Sequence, residues 1–344
     1  MSERSDLLEA VADTIKTYRT GEIEVPTPDH VDRWVSQFTP EAQIPFLREF
    51  AHVIDKSFVG HAEIVEFLTG LVTNVKLAGA SPVEYWSKVN FLRVQQNGVS
   101  QREMLKLFAE CLRQQLGLDM SKCGDPSGDY VYLDDIVFTG SRVQTDLESW
   151  IMNDAPAKAK VHVLVAVLHT SASDYLQRTR LPAAVAKSKK DITVKFWRIL
   201  DVENQKANRN VSEVLWPVAL PNGYGIPEYA SAQKFPFTPR TPGGKSVFFA
   251  TEEGRQVLER ELLIAGMKIR SHHAEPKQYL KPLGFGGFGV GFGSTLVTYR
   301  NCPNNAPLAI WWGEGASSGA LQWYPLLPRK TYSSLENVFQ KLFA

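Results

Sequence analysis

Chemically active side chains concentrate between residues 131 and 143, where the sequence reads VYLDDIVFTGSRV. An apolar stretch leads into two carboxylates, Asp134 and Asp135, and a turn of small residues follows before a helical pattern begins near Val143. Backbone amides and hydroxyls at the start of a helix hold phosphate, and Gly140 lets the backbone approach the anion. Carboxylates at the carboxyl end of a strand can hold a ribose diol or hydrated Mg²⁺. The pattern predicts a phosphate-binding turn; the alternative is a strand–turn–helix junction whose acids only cap the helix.

The elements that must position these residues alternate between strand and helix. Short apolar runs predict strands at Phe91–Gln95, Tyr130–Leu133, Val161–Leu168 and Ile192–Trp197, with helices between them at about 101–116, 143–152 and 173–188. Because crossovers between parallel strands are right-handed, this order favours an α/β fold with a parallel sheet flanked by helices. We expect a helical N-terminal cap over 1–85, an α/β core over 86–202 and a C-terminal α+β extension, rich in Gly and aromatic residues, over 203–344.

Composition excludes several classes of protein. The 344 residues are 44% hydrophobic and 22% charged, which is typical of a folded chain and excludes a disordered or collagen-like one. The longest apolar run, near 161–168, is too short for a membrane span, and no secretory signal is visible. Three scattered cysteines do not indicate a disulfide framework. We therefore expect a soluble cytoplasmic protein without a membrane partner.

The overall charge does not predict a nucleic-acid partner, because the net charge is only +1. Residues 1–80 carry 7 Lys or Arg and 13 Asp or Glu, which makes them −6, so the remainder of the chain carries +7. A mildly basic body suits a phosphate-bearing ligand, although an ordinary mixed surface is the simpler explanation.

At residues 131–143 the chain resembles the phosphoribosyltransferase fold, whose signature is four apolar residues, two acids and a Thr-Gly turn. The resemblance implies that Asp134 and Asp135 are catalytic and hold the ribose hydroxyls of phosphoribosyl pyrophosphate (PRPP), directly or through Mg²⁺. It implies phosphate or ligand binding by Phe138, Thr139, Gly140, Ser141 and Arg142. A second turn, similar in position to the family's pyrophosphate loop, contains Gln96, Asn97, Gly98 and Ser100.

Three departures from that pattern favour ligand binding over transferase turnover. Phe138 stands where many enzymes of the family have a small or acidic residue, and its side chain is neither a base nor a hydrogen-bond donor. Arg142 replaces a phosphate-binding Thr or Ser; it either pairs with phosphate itself or turns to solvent. Only about 30 residues separate the two turns, which leaves little room for the mobile hairpin that excludes water in these transferases.

A second resemblance extends over nearly the whole chain. Residues 33–38, 282–286 and 303–308 resemble a bacterial group of phosphoribosyltransferase-like proteins encoded in phage-defence loci, sometimes beside retron reverse transcriptases. This resemblance implies an antiviral effector or effector-control protein with a protein or nucleoprotein partner.

Three functions stay open. The first is an enzyme that transfers phosphoribose or cleaves a nucleotide glycosidic bond. The second is a nucleotide sensor that controls a partner. The third is a structural subunit of a nucleoprotein complex. The sequence identifies neither the base of the ligand nor whether any bond is broken.

Other motifs are interpreted as structural. Residues 284–289 match G-x-G-x-x-G, but Pro282 precedes them and β-like residues follow, so a structural turn is expected and its role stays unknown. Residues 244–246 lack the first glycine of a P-loop. No histidine has metal-ligand spacing with cysteines or acids. His169 follows the third strand at the edge where ligands bind, although a core or capping role is the simpler expectation.

Overall fold

The computed structural model describes residues 2–95, 100–272, 276, 280–287, 289–313 and 323–330. Within these ranges the α-helices are α1 (Glu3–Ile15), α2 (Pro28–Val35), α3 (Gln43–Ser57), α4 (His61–Val72), α5 (Val75–Ala78), α6 (Pro82–Lys88), α7 (Ser100–Leu116), α8 (Ser141–Asn153), α9 (Thr170–Tyr175), α10 (Leu181–Ser188), α11 (Ile226–Ser231), α12 (Glu252–Ser271) and α13 (Leu308–Trp311). A π-helical turn, Leu176–Arg180, joins α9 to α10. None of the described helices is both long and apolar enough to cross a membrane.

The described strands form parallel ladders. They are β1 (Phe58–Val59), β2 (Asn90–Phe91), β3 (Tyr130–Leu133), β4 (Ile136–Val137), β5 (Lys158–Leu164), β6 (Val167–His169), β7 (Asp191–Trp197), β8 (Leu200–Val202) and β9 (Val297–Thr298). The strand orders are β2-β3-β5-β7, β4-β6-β8 and β1-β9, and every pair is parallel. The predicted α/β fold, with parallel sheets flanked by helices, is confirmed.

The strand boundaries differ from the prediction in a systematic way. The predicted strand Val161–Leu168 is two strands, β5 and β6, and the predicted strand Phe91–Gln95 shrinks to β2. Three neighbouring strands break at one level, since Ala166 N donates to Asp135 O (2.9 Å) and Ile199 N donates to Ala166 O (3.0 Å). The acidic pair therefore lies at a bend between β3 and β4 and does not end its strand. An apolar run carries no periodicity signal for such a bend.

The observed helix boundaries differ from the predicted ones by only a few residues. The helix after the acidic pair begins at Ser141, two residues before the predicted start, and the helix predicted to begin at 101 includes Ser100. The helical stretch expected from about 173 begins at Thr170 and contains the π-helical turn. Shifts of this size are common because the terminal turns of helices are weakly defined.

The chain divides into two compact units. One unit, hereafter the sheet unit, is Ala62–Val202; the other, hereafter the split unit, combines Met1–His61 with Glu203–Thr331. The three segments predicted from the sequence describe order along the chain and stay a prediction.

The core of the sheet unit lies between the sheet and the helices α8 to α10. Val161 and Val163 of β5 alternate with residues that face the other side, and they pack with Leu147 of α8 and Leu176 of the π-helical turn. On β3, Tyr132 donates from its hydroxyl to Asp146 Oδ2 (2.9 Å), which ties the strand to α8. The acidic pair is thus anchored between two elements with well-packed apolar faces.

In the split unit, helices from both ends of the chain surround Trp34. Its ring contacts Phe38, Phe46 and Phe50, and its Nε1 donates to Ala309 O (2.8 Å). Strand β1 pairs with β9 in the same unit, although about 240 residues of sequence separate them. Contacts this distant in sequence are invisible to local patterns.

The split unit also buries a network of charges on α12. Arg240 donates from both terminal nitrogens to Glu252 (2.9 Å each) and from Nη2 to Glu259 (3.2 Å). Arg255 donates from Nε to Glu259 (2.8 Å) and from Nη2 to Val214 O (2.9 Å). Buried charges are tolerated when each is paired and hydrogen-bonded in this way.

Candidate functional site

The predicted phosphate turn has the geometry of a helix start. Gly140 caps α8 with φ +77°, in the left-handed region, and a Cβ added there would lie 3.0 Å from Leu176 Cδ1. Thr139 Oγ1 donates to Ser141 Oγ (3.1 Å) and accepts from Ser141 N (3.4 Å), so the turn is closed by its own side chains. The first backbone bond of the helix runs from Gln144 N to Gly140 O (2.9 Å). The amides before it have no partner within the helix and are suited to an anion.

The two acids have different environments. Asp134 is 3% exposed and its Oδ1 accepts from Asp135 N (3.0 Å), whereas Asp135 is partly exposed and its Oδ1 accepts from Ile136 N (2.8 Å). Burial raises the pKa of Asp134 to about 7, and repulsion from Asp135 adds to the rise against the opposing effect of Arg142. Asp134 is therefore partly protonated near neutral pH and is enclosed by protein. Asp135 is the more exposed member of the pair.

Ser100 connects the two predicted turns. Its Oγ accepts from Gln95 Nε2 (3.0 Å) and from Arg142 Nη1 (3.3 Å), and its side chain hydrogen-bonds the Asp134 carboxylate. One hydroxyl thus uses its donor and both acceptor positions. These hydrogen bonds bring Ser100, Asp134 and Arg142 together. Arg142, for which two orientations were open, points toward Ser100.

Gln95 and Gln101, which are not among the predicted site residues, fix the backbone at the start of α7. Gln101 Oε1 accepts from Val94 N and Gln95 N (3.1 Å each), and Gln101 N donates to Gln95 Oε1 (3.1 Å). The reciprocal pair holds the chain on both sides of the predicted pyrophosphate turn. Gln96, Asn97 and Gly98 lie outside the described residues. The glutamine repeat at 95, 96 and 101 was visible in the sequence, but no rule distinguishes such glutamines from surface ones.

Phe138 and His169 pack beside the turn. The ring centroids are 5.1 Å apart at 33°, and His169 Nδ1 donates to Val137 O (3.0 Å). Full burial lowers the pKa of His169 to about 4, against the opposing effect of the bond to Val137, so the imidazole is neutral at physiological pH. His169 precedes α9 as its cap residue without a capping side-chain bond. Its contacts are those of a buried structural histidine behind Phe138.

The described residues do not form a complete metal site by themselves. Within the described ranges, no group of three or more His, Cys, Asp or Glu could hold a metal ion. Asp135 offers an accessible carboxylate, which is a hard oxygen ligand of the kind Mg²⁺ takes together with ligand phosphates and water. The residues therefore fit a cation that arrives with a phosphorylated ligand better than a cation held by protein alone.

Parallel strands flanked by helices, with an acidic pair after β3 and a glycine cap at the start of α8, define a phosphoribosyltransferase-like protein. The family model described as PRTase-CE matches residues 31–329, and the chain belongs to this family. Neither the curated proteins nor the solved structures contain a match to the chain.

Proposed function

We propose that the chain binds a phosphoribosyl or nucleotide ligand between the acidic pair and α8. The start of α8 supports this proposal most strongly, because Gly140 caps it in a left-handed conformation and Asp135 lies at the sheet bend just before β4. The ligand phosphate would contact the amides and hydroxyls of residues 138–142. Asp135 would hold the ribose hydroxyls, with Mg²⁺ supplying positive charge next to a pyrophosphate.

Asp134 takes a positioning role in this proposal. Its carboxyl is enclosed and contacts Ser100, which itself contacts Arg142. A phosphate that binds the Arg142 guanidinium would alter its hydrogen bond to Ser100, whose hydroxyl also contacts Asp134. Binding at the α8 turn is thereby linked to the conformation of the chain before α7.

We favour a sensor over an enzyme for this site. The Phe138 side chain packs on His169 and supplies no acid or base, and the described residues 100–129 form no strand that could make a closing hairpin. A site that binds without excluding water is suited to reporting a nucleotide to a partner. The biological role we propose is control of an antiviral effector in the cytoplasm, in line with the resemblance to phage-defence proteins.

Thermal unfolding with ligands tests the proposal. PRPP, ATP, GTP and NAD are added with Mg²⁺, and a ligand present at about 100 times its dissociation constant should add roughly 2.7 kcal/mol. The shift should disappear in Asp135→Asn and remain in the control Asp191→Asn, an exposed carboxylate that pairs with Lys158. A shift that survives Asp135→Asn would refute the assignment of the site.

Two further readouts separate the candidate roles. Chromatography of the nucleotide after incubation should show no consumption if the site is a sensor, whereas product that disappears in Asp135→Asn would establish an enzyme. In cells challenged with phage, Asp135→Asn should abolish protection. Equal plaque counts with and without the wild-type chain would refute the defence role.

A further inference from the structure

A basic and aromatic surface of the split unit lies outside the site described above. It comprises three exposed rings, Tyr224, Phe235 and Phe285, and three cationic side chains, Lys268, Arg270 and Lys281. The rings are 56%, 51% and 39% exposed, respectively, in a unit whose other large aromatic side chains are mostly buried. Flat rings next to cations are the combination that proteins use to bind single strands of nucleic acid.

Hydrogen bonds and ring contacts bring together the segments that carry these residues. Lys268 Nζ lies 5.0 Å from the centroid of the Tyr224 ring. Arg270 donates to Leu280 O, which directly precedes Lys281, and the Lys281 ammonium lies 3.5 Å from Gly287 O. Two residues further along, Gly289 N donates to Phe235 O (2.8 Å). These contacts place Lys268 beside Tyr224, Arg270 beside the start of the 280–287 segment, and the backbone of Phe235 beside Gly289.

Two of the exposed rings, Tyr224 and Phe285, lie on defined backbone turns. Tyr224 has φ +53°, a left-handed conformation that is costly for a residue with a side chain. Phe285 follows a turn in which Gly284 N donates to Lys281 O (2.9 Å), and its own amide donates to Asn304 O (2.7 Å). The backbone of Phe285 is thus held by the turn that begins at Lys281, and its side chain is 39% exposed.

The cations are placed where an anion would stabilise them. Burial lowers the pKa of Lys281, and the charge of Arg270 lowers it further, so two positive groups repel each other on this surface. Residues 264–291 contain four Lys or Arg and one Glu in the sequence, against a net charge of +1 for the whole chain. A phosphate between Arg270 and Lys281 would offset this repulsion.

We propose that this surface binds single-stranded nucleic acid, with backbone phosphates at the three cations and bases stacked on the three rings. A duplex would present its phosphates but keep its base faces stacked internally, so the exposed rings favour an unpaired strand. An acidic peptide would satisfy the cations and leave the rings without a defined partner. The surface would connect the chain to a nucleoprotein complex independently of the nucleotide site.

Fluorescence anisotropy with labelled oligo(dT) and oligo(U) of about 12 nucleotides tests the proposal. Binding should weaken with salt, with a slope of log K against log salt of roughly −2 for three phosphate contacts. Tyr224→Ala and Phe235→Ala should each weaken binding by roughly 5- to 100-fold. Lys281→Gln should weaken binding and make the slope shallower by about 0.7.

Matched controls distinguish this surface from other parts of the chain. Tyr175→Ala removes a 45% exposed ring that also lies near a cation, Arg180 at 5.8 Å, and it should leave binding unchanged. Asp191→Asn should also leave binding unchanged, because this exposed carboxylate pairs with Lys158 and belongs to neither proposed site. Thermal midpoints of all variants confirm that the fold is kept.

Equal affinity for the two oligonucleotides would support recognition through backbone and bases alone, and tighter binding of oligo(U) would add a contact to the 2′-hydroxyl. No binding at about 50 mM salt would overturn the proposal. Binding that heparin abolishes and that is insensitive to Tyr224→Ala and Phe235→Ala would also overturn it, because a general polyanion site needs no rings. Capture of a protein partner without oligonucleotide binding would overturn it as well.

Discussion

Acidification should destabilise the chain through His169, whose imidazole is fully buried. Burial lowers its pKa from 6.5 to about 4, while the unfolded chain keeps the ordinary value. The stabilising contribution is complete above the unfolded pKa and is lost as the pH falls toward the folded pKa. Between about pH 7 and pH 5 the loss from this residue amounts to about 2 kcal/mol, because the unfolded state binds the proton and the folded state does not.

Asp134 should act in the opposite direction over the same interval. Its pKa in the folded chain is raised to about 7 from 3.8, so its contribution is complete below the unfolded pKa and is lost as the pH rises through about 7. From about pH 7 to pH 5 the folded chain therefore regains about 2 kcal/mol through Asp134. The two changes in unfolding free energy nearly cancel, so measurements on the wild-type chain alone would reveal neither of them.

Urea unfolding at about pH 7 and pH 5, followed by circular dichroism, separates the two effects. His169→Asn keeps an amide donor for Val137 O and removes the ionisation. On acidification its unfolding free energy should rise by about 2 kcal/mol relative to the wild type, whatever the constant cost of the smaller side chain. On acidification the unfolding free energy of Asp134→Asn should fall by about the same amount relative to the wild type.

Because each variant's unfolding free energy is compared with that of the wild type, the contributions of the other titrating groups cancel. A difference between wild type and His169→Asn that is the same at both pH values, within about 0.5 kcal/mol, would refute the argument for His169. Differences of the same sign for both variants would refute the assignment of opposite pKa shifts.

Gly140→Ala should lower the unfolding free energy by about 1–3 kcal/mol, because it adds left-handed strain and a contact with Leu176. The control is Gly225→Ala, which caps α11 in the same left-handed region (φ +67°, ψ +21°) with no heavy atom within 4 Å of an added Cβ, so a greater loss at Gly140 measures the contact; equal losses in urea unfolding would contradict it. Arg240→Met should cost about 3–5 kcal/mol by leaving the carboxylate of Glu259 buried without this partner. Arg198→Met, at a more exposed pair with Asp201, should cost less than about 1 kcal/mol, and equal thermal shifts for the two variants would contradict the role of burial.

The order of strands and helices was predictable because it depends on local signals. Apolar runs, the turn of small residues and helical spacing each extend over a few residues, and they located β3, α8 and β7 to within about two residues. The bend between β5 and β6 was not predictable, since Val161–Leu168 is apolar throughout. Its cause is hydrogen bonding between neighbouring strands that lie about 30 residues apart in sequence.

The candidate site shows the same division. The residue types and the left-handed glycine follow from the local pattern, and the chain's family membership agrees with it. The different environments of Asp134 and Asp135 depend on Ser100 and Arg142, which are 42 positions apart. Two adjacent aspartates are equivalent in a sequence, and only tertiary contacts decide which one is enclosed.

The division of the split unit between the two ends of the chain affects the order in which the protein can fold during synthesis. Helices α1 to α3 are synthesised before α12, which packs on α3 and follows about 200 residues later. The sheet unit can meanwhile complete its own core, since its strands are made between those two segments. At about 5–20 residues per second, the early helices keep their apolar faces unpaired for roughly 10–40 seconds. Nascent chains should therefore depend on chaperones during this interval more than chains whose units are contiguous in sequence.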